Sequence, residues 1–224
     1  MSSSDKELGQ LVHERLVKLG IETPMEATID PEAEGRIAKN IHNVMSLLGL
    51  HLGDDSLKDT PKRVAKMFCY EVFSGLDYDN FPKCTTVENK FRYDEIVLVR
   101  NNIVRSTCEH HLQPIYGRAS IAYIPGKKVL GLSKFARVVD FFASRPQVQE
   151  RLTEQVYAAL SYILETEDIA VVVEADHFCM RMRGVEEACS DTVTSKLGGR
   201  FRVNEALRAE VMGFVRDGHA NIKL

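Results

Sequence analysis

Residues 103–124 read IVRSTCEHHLQPIYGRASIAYI, and this stretch decides the fold class. The segments 103–107 and 116–124 have strand character. In the second, Ala119, Ile121 and Tyr123 alternate with polar or small residues, the period-two pattern of a half-buried strand. Between them lies Cys108-Glu109-His110-His111, so the pair is expected to form a hairpin with chemistry at its turn. Upstream, 95–100 is also strand-like, and Asn101-Asn102 suits a turn. Pro125-Gly126 ends the hairpin, and two helical stretches follow at 133–144 and 146–165. The second carries Val148, Leu152, Val156, Leu160 and Ile163 at near-helical spacing. The β-branched run 169–173 continues into His177-Phe178-Cys179, with 188–195 as its returning partner, and a last helix starts near Asn204.

The first third has helical periodicity. Ser4-Asp5-Lys6-Glu7 has capping-box spacing before Leu8, Leu11, Val12 and Val17, and Gly20 stops that helix. Asp30-Pro31 opens a second helix striped by Ile37, Ile41, Val44, Met45 and Leu48, and Thr60-Pro61 a third. Residues 76–89 read as a linker or ordered loop. Strand pairs separated by helices favour an α+β, mostly antiparallel architecture over a doubly wound one.

Composition removes several function classes. The 224 residues hold 29 Lys and Arg against 32 Asp and Glu, a net charge of −3, which argues against a nucleic-acid-coating chain. No apolar run approaches the roughly 20 residues that span a bilayer, so no membrane partner is expected. The opening MSSSDKELGQ lacks the apolar stretch of a signal peptide. Five cysteines cannot all pair within the chain. The expectation is a cytoplasmic globular protein whose thiols serve as ligands, nucleophiles or packing.

Cys108-Glu109-His110-His111 is the densest group of metal-ligating side chains. Cys-x-x-His lets two ligands converge where the backbone turns. If 177–179 is strand, His177 and Cys179 share a face, and adjacent hairpins would bring both groups together. Mixed thiolate and imidazole suit Zn²⁺, one per chain, in a tetrahedral site. Cys108, His111 and Cys179 are the expected ligands, with water in the fourth position, although spacing leaves His110 and His111 nearly interchangeable. His110 and His177 would then serve as acid–base groups. Cys69, Cys84 and Cys189 have no histidine nearby, and His13, His42, His51 and His219 read as surface or capping residues.

A second constellation is basic. Arg63 and Lys66 share a helix face. Ser133, Lys134 and Arg137 open another helix, whose N–H groups favour anions. Arg181 and Arg183 follow Cys179. Such cations on an acidic chain suit a polyphosphate substrate. In Gln149-Glu150, a carboxylate could accept from both N1–H and the 2-amino group of guanine, although a lone Glu early in a helix is usually a surface charge complementing the dipole.

Five separated motifs carry a resemblance: Thr60-Pro61-Lys62-Arg63-Val64-Ala65-Lys66-Met67, Ser106-Thr107-Cys108-Glu109-His110-His111, Gly131-Leu132-Ser133-Lys134, Arg145-Pro146-Gln147-Val148-Gln149-Glu150-Arg151-Leu152 and His177-Phe178-Cys179-Met180. Together, over about residues 7 to 210, they resemble the single-zinc form of the GTP cyclohydrolase I family. The resemblance implies a tunnelling fold, an antiparallel ββααββ sheet closed by oligomerisation, in a catalytic domain over 90–224 behind an N-terminal helical segment over 1–89. It also implies a homodecamer of two pentamers with sites at subunit boundaries. The implied reaction takes GTP and water to formate and 7,8-dihydroneopterin triphosphate, at the entry to folate or related pterins, without redox or organic cofactors. Carried over, Cys108, His111 and Cys179 match the zinc ligands, and the metal readies a water for attack on C8 of the purine. His110 matches the group that protonates the opening imidazole ring, and His177 the acid–base group for the ribose and the later rearrangement. Glu150, with Gln149 beside it, matches the guanine anchor. Arg63, Lys66, Ser133, Lys134, Arg137 and Arg183 match the triphosphate pocket. The tail from Glu210 onward has no assigned role. Two other readings compete: another enzyme on the same fold, such as a reductase with an unligated cysteine and a nicotinamide, and a zinc-stapled binding module with a closed four-ligand site.

Overall fold

A computed structural model describes residues 4–26, 28–187 and 189–217. Three helices come first: α1 (Lys6–Leu19), α2 (Ala33–Leu47) and α3 (Thr60–Met67). Asp5, not Ser4, caps α1, accepting from the Leu8 amide at 3.1 Å, while Ser4 bridges to Pro82. Gly20 closes α1 at φ +70, a left-handed conformation open to glycine at little cost. Helix α2 starts two residues beyond Pro31. Its expected stripe is largely unburied: only Met45 is fully covered, and Val44, Leu47 and Leu48 are exposed. Helix α3 packs against α2 and runs into a single π turn, Phe68–Val72, followed by two 3₁₀ turns.

The region expected to be a linker holds β1 (Thr86–Glu88), which pairs antiparallel with β4 (Lys128–Leu130). Strands β2 (Val97–Cys108) and β3 (Pro114–Tyr123) form the hairpin read from the sequence. Helix α4 (Ser133–Ala143) follows, then β5 (Pro146–Gln147), α5 (Gln149–Leu164), β6 (Ile169–His177), a one-turn α6 (Phe178–Arg181), β7 (Thr192–Leu197), α7 (Gly199–Val203) and α8 (Glu205–Asp217). The main sheet runs β5-β2-β3-β6-β7, antiparallel except for the parallel β2–β5 contact. Pro146 therefore lies in a short edge strand and does not open α5. Strand β7 begins at Thr192, and the expected start of that segment, Ala188, lies outside the described residues, as does His219. Among the described residues, no helix is long and apolar enough to cross a membrane.

Asn101-Asn102 is not a turn. Strand β2 continues through it with a bulge: from Val99 to Asn102 it advances three residues while β3, from Ile121 to Ala119, advances two. Asn101 takes φ +61, a conformation asparagine tolerates better than most residues. Asn102 is buried, and its amide donates to Val99 O and Ala119 O, both at 3.0 Å, which satisfies the interrupted ladder. The extra residue reverses the phase of the strand. Val97 and Val99 before it, and Val104 after it, all pack on the helix-covered face.

That face carries the main core. Ala119, Ile121, Tyr123, Ile169, Val171 and Val173 pack under Phe135, Val138, Val139 and Phe142 of α4 and Leu152, Val156 and Leu160 of α5. Val12 and Leu16 of α1 and Phe81 join the same core. Ala122, Ala170, Phe201 and Val211 bury the opposite face at one end beneath α7 and α8. At Gly117 the strands approach so closely that a Cβ would sit 2.0 Å from Glu174 O. Arg145, fully buried, ties the chain after α1 to the end of α4. It donates to Glu22 at 3.1 Å, Thr23 Oγ1 at 3.3 Å and Gly75 O, and packs against the rings of Tyr78, Phe141 and Phe142.

Candidate functional site

Cys108 is the last residue of β2 and, because of the bulge, continues the helix-covered face with Ile115 and Ala175. The turn after it is tightly bonded. Cys108 N donates to Gln113 O at 2.8 Å, Leu112 N to Cys108 O at 2.8 Å, and Glu109 N to Gln147 O of β5 at 3.0 Å. The Glu109 carboxylate takes a two-pronged contact from Arg151 of α5, at 2.7 and 3.4 Å. His110 and His111 are exposed, and their Nδ1 atoms lie 3.9 and 4.0 Å from Cys108 Sγ.

The second arm arrives through the β3–β6 pairing, which sets His177 opposite Ile115. Here the structure corrects the strand reading: β6 ends at His177, and Cys179 lies in the one-turn helix α6. Cys179 reaches Cys108 because the chain coils there, not because two strand residues share a face. One ligand atom from each of Cys108, His111 and Cys179 lies within 4.8 Å of the others. Burial, together with the Cys108 sulfur, pushes the Cys179 thiol up, while the Arg183 charge opposes this.

Two sulfurs and an imidazole nitrogen are a donor set for zinc. Bonds of about 2.0–2.3 Å place tetrahedral ligand atoms about 3.3–3.8 Å apart, so small side-chain movements would complete the coordination. The residues fit the ion. With three protein ligands, one position stays open, the arrangement of catalytic rather than structural sites.

His177 is half-buried beside this group. Burial lowers its pKa, and the Glu150 and Asp176 carboxylates counter that. Its Nε2 lies 2.8 Å from Oε1 of Gln149 at the start of α5. Gln149 itself is buried, whereas Glu150 next to it is exposed in the first turn. One helix N-terminus thus sends Gln149 to His177, Glu150 outward and Arg151 to Glu109. The roles of Glu109 and Arg151 escaped the sequence reading, since nothing local links residues 42 apart.

The cations are distributed differently. Arg183 lies near Cys179, whereas Arg181 pairs with Asp176 at 2.7 Å. Arg63 sits 3.9 Å from Asp59 on α3, which also carries Lys66. Lys134 and Arg137 act on the Cys84 thiol, which burial pushes up to about 11. The C-terminal end of α4 leads through Arg145 into β5, beside Thr107 and Cys108. Its N-terminus, with Ser133 and Lys134, therefore lies about 16 Å away along the helix axis.

Comparison with known proteins adds an independent finding. A model of GTP cyclohydrolase I matches residues 37–216. The chain is 51% identical over 218 residues to GTP cyclohydrolase 1 of Yersinia enterocolitica, covering 96% of this chain and 99% of that protein. It is 50% identical to the enzyme of Vibrio cholerae, covering 94% and 98%. Against that of a Shewanella species it is 51% identical, covering 90% and 95%. A thiol–imidazole–thiol group built by two hairpins, inside a match of this extent, places the chain in the GTP cyclohydrolase I family.

Proposed function

We infer that the chain converts GTP and water to formate and 7,8-dihydroneopterin triphosphate, using one zinc ion held by Cys108, His111 and Cys179. The convergence of those three ligand atoms from separate hairpins carries this reading. Bound there, zinc supplies a Lewis acid that makes water nucleophilic near neutral pH. The protein supplies the rest. Glu150 accepts from N1–H and the 2-amino group of guanine, fixing the orientation of the base. His110 gives a proton to the imidazole ring nitrogen as that ring opens. His177, half-buried and held on one side, moves protons at the ribose and during the rearrangement that follows. Ring opening and loss of formate are hydrolyses that consume two waters, the rearrangement moves protons, and recyclisation is a condensation that returns one water, so one water is taken up overall.

The triphosphate is held by Arg63, Lys66, Ser133, Lys134, Arg137 and Arg183, and a site containing all of them is completed by neighbouring copies. The separation along α4 supports this, since Ser133 and Lys134 sit at the helix end remote from Cys108. The exposed Val44, Leu47 and Leu48 of α2 and the outer edge of β7 are surfaces for such copies to cover. The assembly we propose is a decamer of two pentamers, acting in the cytoplasm, where its thiols stay reduced.

The test is direct. Zinc-loaded protein should release formate from GTP, and chelation should stop it. Cys179→Ala should lose both metal and turnover; His177→Ala should keep its zinc while turnover falls about 10²–10⁴-fold. One zinc per chain with neither formate nor pterin fluorescence would instead identify a binding module, and light scattering reads the assembly.

A further inference from the structure

Gln149 is a buried glutamine whose NH₂ group has no donor to spare. Its Nε2 faces Val173 O at 3.0 Å, Thr192 O at 2.9 Å and Thr194 Oγ1 at 3.2 Å. The two carbonyls can only accept, so the NH₂ group must lie on that side and Oε1 on the other. Thr194 Oγ1 and the Gln149 carbonyl are further engaged by Thr153 Oγ1, at 2.7 and 2.9 Å, which holds the start of α5 against β7. Oε1 then meets His177 Nε2 at 2.8 Å. A carbonyl oxygen offers no proton, so Nε2 must carry the ring hydrogen, and the lone pair of neutral His177 resides on Nδ1.

We propose that Gln149 is a positioning residue for His177. Its carbonyl holds the ring in one orientation and one tautomer, presenting Nδ1 to the substrate. This rests on the reading of His177 as the acid–base group. It gives Gln149 a task other than contact with guanine: both its donor hydrogens are taken by protein, and the exposed Glu150 beside it is left to read the base. A neighbouring group that fixes the tautomer of a reactive histidine has large leverage on rate and little on substrate affinity.

The experiment uses the zinc-loaded, full-length protein. Gln149→Met keeps the volume and removes the hydrogen bonds. It should retain one zinc per chain, lower kcat about 10–100-fold and leave the KM for GTP within about threefold. In a His177→Ala background, the same change should alter the residual rate less than about twofold, because the partner through which Gln149 acts is gone. A raised KM with unchanged kcat would overturn the proposal and make Gln149 a base-reading residue. A full further loss in the His177→Ala background would also overturn it, as would unchanged kinetics in Gln149→Met. A measurement independent of variant folding is ¹⁵N-histidine NMR of the parent protein, where His177 should show Nε2 protonated; Nδ1 protonated in the neutral ring would refute the idea. If His177→Ala alone keeps the parent rate, the reading of His177 fails. If it loses turnover while Gln149→Met does not, only the positioning role fails.

Discussion

The two arms of the zinc group are built in opposite ways. The Cys108 arm is a strand end with a buried thiol and a tightly bonded turn, from which His110, His111 and Leu112 reach solvent. Its turn is bonded to itself through Gln113 and Leu112, to β5 through Gln147, and to α5 through Arg151. That bonding holds even Leu112 at φ +52, a conformation that costs a branched residue on the order of 1–3 kcal/mol. The Cys179 arm is one turn of helix at the end of β6, anchored by Arg181–Asp176 at 2.7 Å and by Glu187 N to Met180 O at 3.0 Å. It leads into exposed Met182 and Val185. One arm is preorganised by the fold; the other is free to adjust, and ion binding is what completes it.

The largest effect should come from the feature that aims the rigid arm. Inserting one alanine between Ile103 and Val104 adds a residue that the Asn101 bulge does not absorb and reverses the phase of everything after it, turning Val104 and Cys108 to the opposite face. Either the segment before the insertion keeps its register, which puts alanine in the Val104 site and loses the metal group, or the segment after it does, which turns Val97 and Val99 out of the core. Both outcomes cost on the order of 3 kcal/mol or more. For a chain of this size, the melting temperature should fall by about 6–12 °C. Zinc per chain should drop toward none by metal analysis. An insertion variant with full zinc content would show that the phase of β2 does not aim Cys108.

That bulge also marks where sequence reading stops. The pairing of 103–107 with 116–124 was legible because alternation is a local signal, and the metal group because ligands cluster in Cys108-Glu109-His110-His111. Asn101-Asn102 has the composition of a turn, and only the paired strand decides whether the chain reverses or carries one extra residue forward. Cys179 was rightly grouped with Cys108 but for the wrong geometric reason: a β-branched run predicts strand, and nothing local announces that it ends at His177. β1, β4 and β5 are two or three residues each, too short to carry a period. The α2 stripe was legible as a helix, but its amphipathic pattern does not say whether the covering surface lies in the same chain. Gln149, buried and polar, takes its meaning from carbonyls of β6 and β7, which sequence spacing does not reveal.

The next test compares the anchors of the two arms directly. Arg151 grips both oxygens of Glu109 and is mostly buried, whereas Arg181 makes one contact with Asp176 and is about a third exposed. Arg151→Ala leaves a carboxylate without its partner next to the metal turn. Zinc affinity, read by competition with a chelating dye, should weaken about 10–100-fold. Arg181→Ala removes a pair worth about 0.2–1 kcal/mol, and the same affinity should change less than about fivefold. If the order were reversed, the Cys179 arm would be the one needing support.

The smallest effect is a difference in thiol reactivity, and it separates the arms without a mutation. Cys108 is 5% exposed and Cys179 only half-buried. In chelated protein, iodoacetamide should therefore label Cys179 before Cys108, and zinc should protect both. Cys189 is exposed and outside the zinc group, so its labelling at a given pH should ignore the metal. Cys84 supplies the internal standard for burial without ligation. Its thiol is pushed up to about 11, so at pH 8 it is almost wholly protonated and unreactive, since only the thiolate attacks. Between pH 8 and pH 10 its thiolate fraction rises about tenfold per unit, and its labelling rate should follow that slope with or without zinc. Equal labelling of Cys108 and Cys179 in the chelated protein would mean that removing the ion loosens both arms together, and that the enclosure of the Cys108 turn depends on the metal as much as on β5 and Arg151.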